Sequence, residues 1–309
     1  MLNIAVVGTG YWGKNHVKTF AALRDEGLDI SITVCDINEK RARKLAEEYG
    51  ATWVSNTLEL IKGEKAVHAV TIATPSPMHA DQAEFFLKNG IPIMVEKPLA
   101  LTISKAKAVI ELSKSTGTLL SVGHVFRHHA AIREASKMIQ QGKLGPIKLI
   151  ESIRTAVREP RPDMGAIHAL AIHDYDIFSF LLNNQIPEVI NSSIVPSNIP
   201  GIEDHAITHL TFNGEGGSII LGCSIVGWRS RIEGKQRKLR IFGRDASLDI
   251  DYLDHSGLWI HHHPNEAVGP EWGGSGAAPR ERWMIPIGEP ALTAELRHFL
   301  QLVLKGKKN

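Results

Sequence analysis

Short β-branched runs alternate with longer helical stretches from residue 1 to about 122. The runs NIAVVG, ISITVCD, AVHAVTIAT, IPIMVE and TLLSVG are continuously apolar, as strands of a parallel sheet are when both faces are covered. Between them lie segments such as NEKRARKLAEEYG, ending in Gly50, and HADQAEFFLKNG, ending in Gly90. Each glycine falls where a helix end favours a left-handed residue. Strand, helix, strand repeated this way predicts right-handed crossovers and a doubly wound parallel sheet over residues 1–122.

After residue 123 the period falls to two. SIILGCSIV puts Ile219, Leu221, Cys223 and Ile225 on one face, and KLRIFG and ASLDIDYL alternate basic or acidic residues with Leu239, Ile241, Leu248 and Ile250. Alternation of this kind predicts a large, mostly antiparallel open sheet with one wet face, in an α+β domain spanning 123–309. One helix, GAIHALAIHDYDIFSFLL, interrupts it. A second closes the chain at about 290–305, with Leu296, Phe299, Leu300, Val303 and Leu304 as its apolar stripe. That helix is expected to pack back toward the first domain. Residues 264–282, rich in Gly and Pro, read as a loop.

Composition narrows the function classes. The chain has 309 residues, 43% hydrophobic, with a net charge of +2 and acids and bases interspersed. It has no one-sided basic face, so nucleic acid is not the expected partner. The apolar N-terminal run is too short for a signal-peptide core, and no stretch has the length of a membrane span, so a cytoplasmic location is expected. Two cysteines, Cys35 and Cys223, sit in apolar runs and read as reduced fillers rather than a disulfide.

The candidate chemistry lies at strand ends. GTGYWG spaces Gly8, Gly10 and Gly13, with Tyr11 and Trp12 between them, after a strand and before a helix. In that context the glycines permit a tight turn and let a pyrophosphate approach a helix N-terminus. Asp36 ends the second strand, where a carboxylate accepts hydrogen bonds from an adenosine ribose and repels a 2′-phosphate. NAD is therefore expected over NADP, although Lys40 and Arg41 nearby soften the preference. Ligands of open parallel sheets bind beyond the carboxyl ends of the strands, which points Thr74, Pro75, His79, Glu96 and Lys97 at the nicotinamide end of the cofactor. The run HHHP and His255 invite a metal reading. Adjacent strand residues face opposite ways, so three consecutive histidines cannot share one ion, and no metal is expected.

Taken in order, GTGYWG, ATPSPMH, VEKPLA, VGHVFR and GAIHALAIHDYD resemble the glucose-fructose oxidoreductase / inositol dehydrogenase / rhizopine-catabolism (Gfo/Idh/MocA) family over nearly the whole chain. The resemblance implies an N-terminal Rossmann domain, a C-terminal α+β domain and NAD(P)-dependent oxidation of a sugar alcohol. Residues 158–181 look most like UDP-N-acetylglucosamine 3-dehydrogenases. By position, the family pattern makes Lys97 and His173 the catalytic pair: an imidazole with a pKa near neutral takes the hydroxyl proton, and an ammonium stabilises the charge developing on oxygen. The same resemblance implies that His124 and Arg127 line the substrate cleft. Arg154, Arg158 and Arg161 fall beside the sugar site, where guanidinium groups suit a diphosphate.

Two departures from the family pattern stand out. The family carries an aspartate four residues before its histidine, and here that residue is Ala169, preceded by His168. Asp176, one turn after His173, is the candidate to take over the orienting role. Family members also continue past the final helix, which leaves apolar surface expected on the first domain. A homodimer or homotetramer through the C-terminal sheet follows from the resemblance. A rival reading of the same fold is a dinucleotide-binding regulator without catalysis, and a third is a dehydrogenase or reductase for a free sugar, an inositol or a biliverdin-like ligand.

Overall fold

The computed structural model describes residues 1–63, 66–160, 164–229, 234–254, 256–263, 279–286 and 288–306. The chain divides into two compact units, Met1–Val125 with Glu289–Asn309, and Phe126–Gly288.

In the first unit six strands form one sheet: β1 (Leu2–Val7), β2 (Ile30–Cys35), β3 (Thr52–Val54), β4 (Ala69–Ile72), β5 (Ile93–Glu96) and β6 (Leu120–Gly123). Their order is β3-β2-β1-β4-β5-β6, with every pairing parallel. Successive side chains of a strand point to opposite faces, and β1 shows it. Ile4 and Val6 join a buried cluster with Val17, Phe20 and Leu45, whereas Ala5 and Val7 join another with Ala83, Phe86 and Val109. Helices α1 (Tyr11–Asp25) and α2 (Glu39–Tyr49) cover the first face, and α3 (His79–Lys88) and α4 (Ile103–Thr116) the second. Asn38 caps α2 by accepting from the Arg41 amide, and Thr102 caps α4 through the Lys105 amide. Each such cap is worth about 1 kcal/mol. Gly50 and Gly90 stop their helices with φ of 60° and 69°. The three-residue β3 escaped the sequence pattern because it is too short to show a period.

The second unit holds an eight-stranded sheet: β7 (Ile147–Thr155), β8 (Val189–Pro196), β9 (Glu203–Asn213), β10 (Ile219–Gly227), β11 (Gln236–Gly243), β12 (Ala246–Asp251), β13 (Gly257–His262) and β14 (Arg280–Met284). The order is β14-β13-β12-β11-β7-β10-β9-β8, antiparallel throughout except for β7 beside β10. Helices α5 (Ala130–Gln140) and α6 (Ile172–Leu181) share a buried cluster with Leu239, Ile241, Leu248 and Ile250.

Two expectations need correction here. Residues 280–282 belong to β14, paired with β13, because cross-strand hydrogen bonds override a loop-like composition; residues 264–278 lie outside the described set. The stretch before α6 is a π turn, Ile167–Ala171, whose Ile172 amide reaches back to the Ile167 carbonyl, so the helix through His173 is not regular along its length. On β10 the apolar set Ile219 and Leu221 is exposed, while Ile220, Ser224 and Val226 face inward. Both alternating sets are largely apolar, so the period alone could not choose the buried one.

Helix α7 (Ala291–Gly306) belongs to the first unit. Leu296, Phe299, Leu300 and Val303 are buried with β1, β2 and α1, each worth roughly 1.5–3 kcal/mol of burial. Arg297 ties the helix to Glu26 on one side and Glu289 on the other.

Candidate functional site

The glycine turn between β1 and α1 is shaped as a cradle. A Cβ on Gly13 would lie 1.8 Å from the Gly8 carbonyl oxygen, so only glycine lets the helix pack so close to the turn. Gly8 has φ +94, and a Cβ there would meet the Ala73 carbonyl oxygen at 2.8 Å. Around Gly10 nothing lies within 4 Å of such a Cβ. That open side, at a helix N-terminus with no acidic residue in its first turn, fits a dinucleotide pyrophosphate. Tyr11, 79% exposed, stands at the rim with its ring edge-on to Trp12 at 5.5 Å.

Asp36 is held by its neighbours. Thr9 donates to Oδ2 through its amide at 2.8 Å and its hydroxyl at 2.6 Å, and the Asn38 amide donates to Oδ1 at 2.8 Å. Arg41 Nη2 stands 3.5 Å from the same Oδ1. Burial pushes the Asp36 pKa up, but the bonds from Thr9 and Asn38 and the Arg41 charge outweigh it and set the carboxyl below its ordinary value. An ionised acceptor therefore stands at the end of β2. Beside it Cys35 is buried, and its thiol is pushed up to about 12 by burial and by the Asp36 and Glu59 charges, an inert filler. Cys223, half-buried on the outward face of β10, departs from the expected burial.

Beyond β4 and β5 the side chains of two residues turn away from the solvent. His79 is buried, with Nδ1 2.7 Å from the Pro98 carbonyl oxygen and Nε2 2.9 Å from that of Thr74. It therefore ties the loop after β4 to the turn after β5. Glu96 is buried and its Oε1 lies 3.0 Å from Nε2 of His16 on α1. Its carboxyl also packs on Gly123, where a Cβ would come within 3.3 Å. Both were expected to ring the nicotinamide end; their side chains are engaged in holding the loops that carry Thr74, Pro75 and Lys97. Thr74 donates its hydroxyl to Gln82 at 2.7 Å. Lys97 is half-buried, with a cis bond to Pro98. His124 is half-buried just past β6. The sequence reading missed His16, although its place on the buried side of α1 marked it as a core polar group in need of a partner.

In the second unit His173 lies at the start of α6, buried, with its ring against Phe126 at 5.0 Å and 78°. Ala169 is buried in an apolar cluster with Met164, Leu170 and Trp228, whereas His168 is exposed. The carboxylate of Asp176 receives Arg127: Nε at 2.8 and 3.0 Å from its two oxygens, and Nη2 at 2.7 Å. Arg127 also donates to Asn184 at 3.0 Å. Both of these residues are thus partners of each other, a pairing the sequence did not suggest. Arg154, assigned from the sequence to a diphosphate, is 1% exposed and bonded to the fully buried Asp174; its charge is already neutralised inside the unit. Arg158 is exposed, stacked over Trp228 at 4.4 Å. Arg161 and His255 lie outside the described residues. His262 pairs with Glu281, and His263 with Ser247 and the Arg244 carbonyl. Among the described residues no group of three His, Cys, Asp or Glu side chains is arranged to hold a metal, and no helix is long and apolar enough to cross a membrane.

Comparison with known proteins agrees with this architecture. A family model described as oxidoreductase family, NAD-binding Rossmann fold, matches residues 2–124, and the GFO/IDH/MocA C-terminal domain matches residues 132–249. The UDP-N-acetylglucosamine 3-dehydrogenase of Acidithiobacillus ferrooxidans is 28% identical over 308 residues, covering 98% of this chain and 88% of its own. The scyllo-inositol 2-dehydrogenase (NAD(+)) of Bacillus subtilis is 30% identical over 268 residues, covering 83% and 75%. Among solved structures, that of the Acidithiobacillus enzyme superposes with a TM-score of 0.81 at 26% identity over 99% of this chain and 90% of its own. Levoglucosan dehydrogenase bound to NADH and levoglucosan shares the fold, with a TM-score of 0.83 at 20% identity over the same shares. With the glycine cradle and the ionised acid at the end of β2 in place, this chain belongs to the Gfo/Idh/MocA family of oxidoreductases and is an NAD(P)-dependent dehydrogenase acting on CH–OH groups.

Proposed function

We propose that the chain oxidises a ring secondary alcohol of a sugar with NAD as acceptor, and that its substrate is a UDP-linked N-acetylamino sugar, oxidised at C3. When bound, NAD supplies the hydride acceptor at its nicotinamide ring. The chain's own residues do the rest. The Gly10 opening and the N-terminus of α1 hold the pyrophosphate, and Asp36 accepts from the ribose hydroxyls. His173 Nε2 takes the proton of the reacting hydroxyl, and Lys97 Nζ donates a hydrogen bond to the same oxygen. The observation that carries the choice of NAD is the ionised Asp36, fixed by three donors from Thr9 and Asn38. The choice of sugar is supported by similarity along nearly the full chain to a UDP-N-acetylglucosamine 3-dehydrogenase.

A second reading, a free polyol such as an inositol, is favoured by one feature. Arg127 and Arg154 are already neutralised by Asp176 and Asp174, which leaves Arg158 among the described candidates for a diphosphate. We further propose that a second copy covers the outward face of the eight-stranded sheet, where Ile219 and Leu221 are exposed, and that the protein works in the cytoplasm.

The test is direct. Purified protein is mixed with NAD and, in turn, UDP-N-acetylglucosamine, scyllo- and myo-inositol and free hexoses, and reduced nicotinamide is followed by absorbance. Turnover confined to polyols removes the nucleotide-sugar reading. A Lys97→Ala variant should lose turnover by about 10²–10⁴-fold with NAD affinity within a few-fold. A regulator would show no turnover in the wild type at all.

A further inference from the structure

Asp174 follows the proposed base directly in the chain, is fully buried, and is fastened to two strands of the sheet. Oδ1 accepts from Nε of Arg154 on β7 at 2.9 Å, and Oδ2 accepts from Oγ of Ser224 on β10 at 2.8 Å. Arg154 is itself sandwiched between two rings, with its guanidinium carbon 4.4 Å from the Phe126 centroid and 5.1 Å from that of Tyr252. The Phe126 ring in turn meets the His173 ring at 5.0 Å. His173 is therefore braced twice from the sheet, once through the backbone of Asp174 and once through the stack Arg154–Phe126.

An ion pair is an expensive way to fasten a helix. Hydrocarbon of the same volume holds elements together as well or better, and the rest of this core does so with Ile150, Leu239, Ile241 and Ile250. What the ionic pair adds over hydrocarbon is fixed direction, because charge-assisted hydrogen bonds hold angle as well as distance. It also adds a defined charge one aromatic ring away from the imidazole. Other groups gather round the pair. Arg237 on β11, which donates to the Thr155 and Gln236 carbonyls, is pulled down to about 10 by burial and by the Arg154 charge. The Tyr252 hydroxyl, just past β12, is pushed well up by burial. His129, at the start of α5, stands edge-on to Tyr252 at 5.6 Å, and Arg158 lies farther along the chain from β7.

We propose that Arg154 and Asp174 are positioning residues for His173, with Asp174 and Ser224 setting the angle of the ring and Asp174 cancelling the guanidinium charges that would otherwise disfavour its protonation. The inference rests on His173 being the base. It departs from the sequence expectation twice: it takes Asp174 rather than Asp176 as the orienting carboxylate, and it gives Arg154 to the base rather than to a diphosphate.

The sign of the electrostatic part follows from Coulomb's law. Asp174→Asn leaves Arg154 and Arg237 uncompensated beside His173, so the imidazolium is disfavoured and its titration midpoint falls. The double variant R154M/D174N removes one cation with the anion, so the midpoint returns toward that of the wild type, while the bracing remains lost. The experiment uses the full chain with ¹⁵N-labelled histidine, the His173 signal being identified by its loss in His173→Gln. In D174N the midpoint is expected to fall by roughly half to one pH unit and to recover in the double variant. In both, kcat is expected to drop about 10–100-fold with KM for NAD nearly unchanged, the cost of a misdirected base. If D174N does not give a cooperative melt, Ser224→Ala keeps the charges and removes one of the two bonds, and should still lower kcat several-fold. Unchanged kcat and an unchanged midpoint in folded variants would overturn the proposal. The two readings separate cleanly: full turnover in His173→Gln sinks the assignment of the base, and the titration in D174N still decides whether the pair governs that imidazole.

Discussion

His16 Nε2 lies 3.0 Å from Glu96 Oε1, and both side chains are sealed from solvent. The contact joins α1, which carries the glycine turn, to the strand end that presents Lys97, so one buried hydrogen bond couples the cofactor cradle to the proposed catalytic lysine. Removing either partner strands the other in the core. His16→Ala and Glu96→Ala should each lower stability by about 1–3 kcal/mol, and the double variant should cost less than the sum. Denaturant melts of the four proteins in a double-mutant cycle check this, and strict additivity would show that the pair is not coupled.

The cradle itself separates packing from binding. Gly13→Ala drives a methyl group to 1.8 Å from a backbone oxygen and must displace α1, so the melting temperature and NAD binding should both fall. Gly10→Ala adds a methyl group into open space, so the melting temperature should stay within a degree or two while NAD binding weakens by about tenfold or more. Thermal melts beside NADH fluorescence titrations distinguish the two. Equal losses of stability would show that the Gly10 side is not the pyrophosphate face.

Asp36 makes two predictions from one carboxylate. Asp36→Ser removes the anion that repels a 2′-phosphate and releases Arg41, now 3.5 Å from it, to meet one. The ratio of kcat/KM for NAD over NADP should fall by about 10–100-fold, roughly the 1–3 kcal/mol of a charge-assisted contact. The pH dependence follows from the lowered pKa of Asp36. Its stabilising contribution is fully present above the unfolded value of about 3.9 and is lost as pH falls through the lower folded value. The difference in melting temperature between wild type and Asp36→Asn should therefore be constant from neutral pH to about 4 and shrink only below it. A difference that shrinks already near pH 6 would mean the carboxyl is not held ionised.

Leu221 stands on the outward face of β10, with Leu149 of β7 and Thr211 of β9 as its cross-strand neighbours. It is exposed, so Leu221→Asp should leave the monomer's stability within about 0.5 kcal/mol. If a second copy covers this face, the substitution should shift sedimentation from the oligomer toward the monomer. An unchanged oligomer in the variant would place the interface elsewhere.

What the sequence determined alone was whatever has a local or periodic cause. Continuous apolar runs fixed the parallel strands, Gly50 and Gly90 fixed helix ends, and the spacing of Gly8, Gly10 and Gly13 after a strand fixed the cofactor cradle, since each follows from the sterics of neighbouring residues. What only the tertiary structure decided was partnership over long separations. Glu96 and His79 turned inward because His16 and the carbonyl of Pro98 were there to receive them. Arg154 left the surface because Asp174, twenty residues on, offered a buried counter-charge. No period in the chain encodes such pairs: a charge is driven inward or outward by whichever partner the fold brings within about 3 Å, and that distance exists only once the strands and helices have packed.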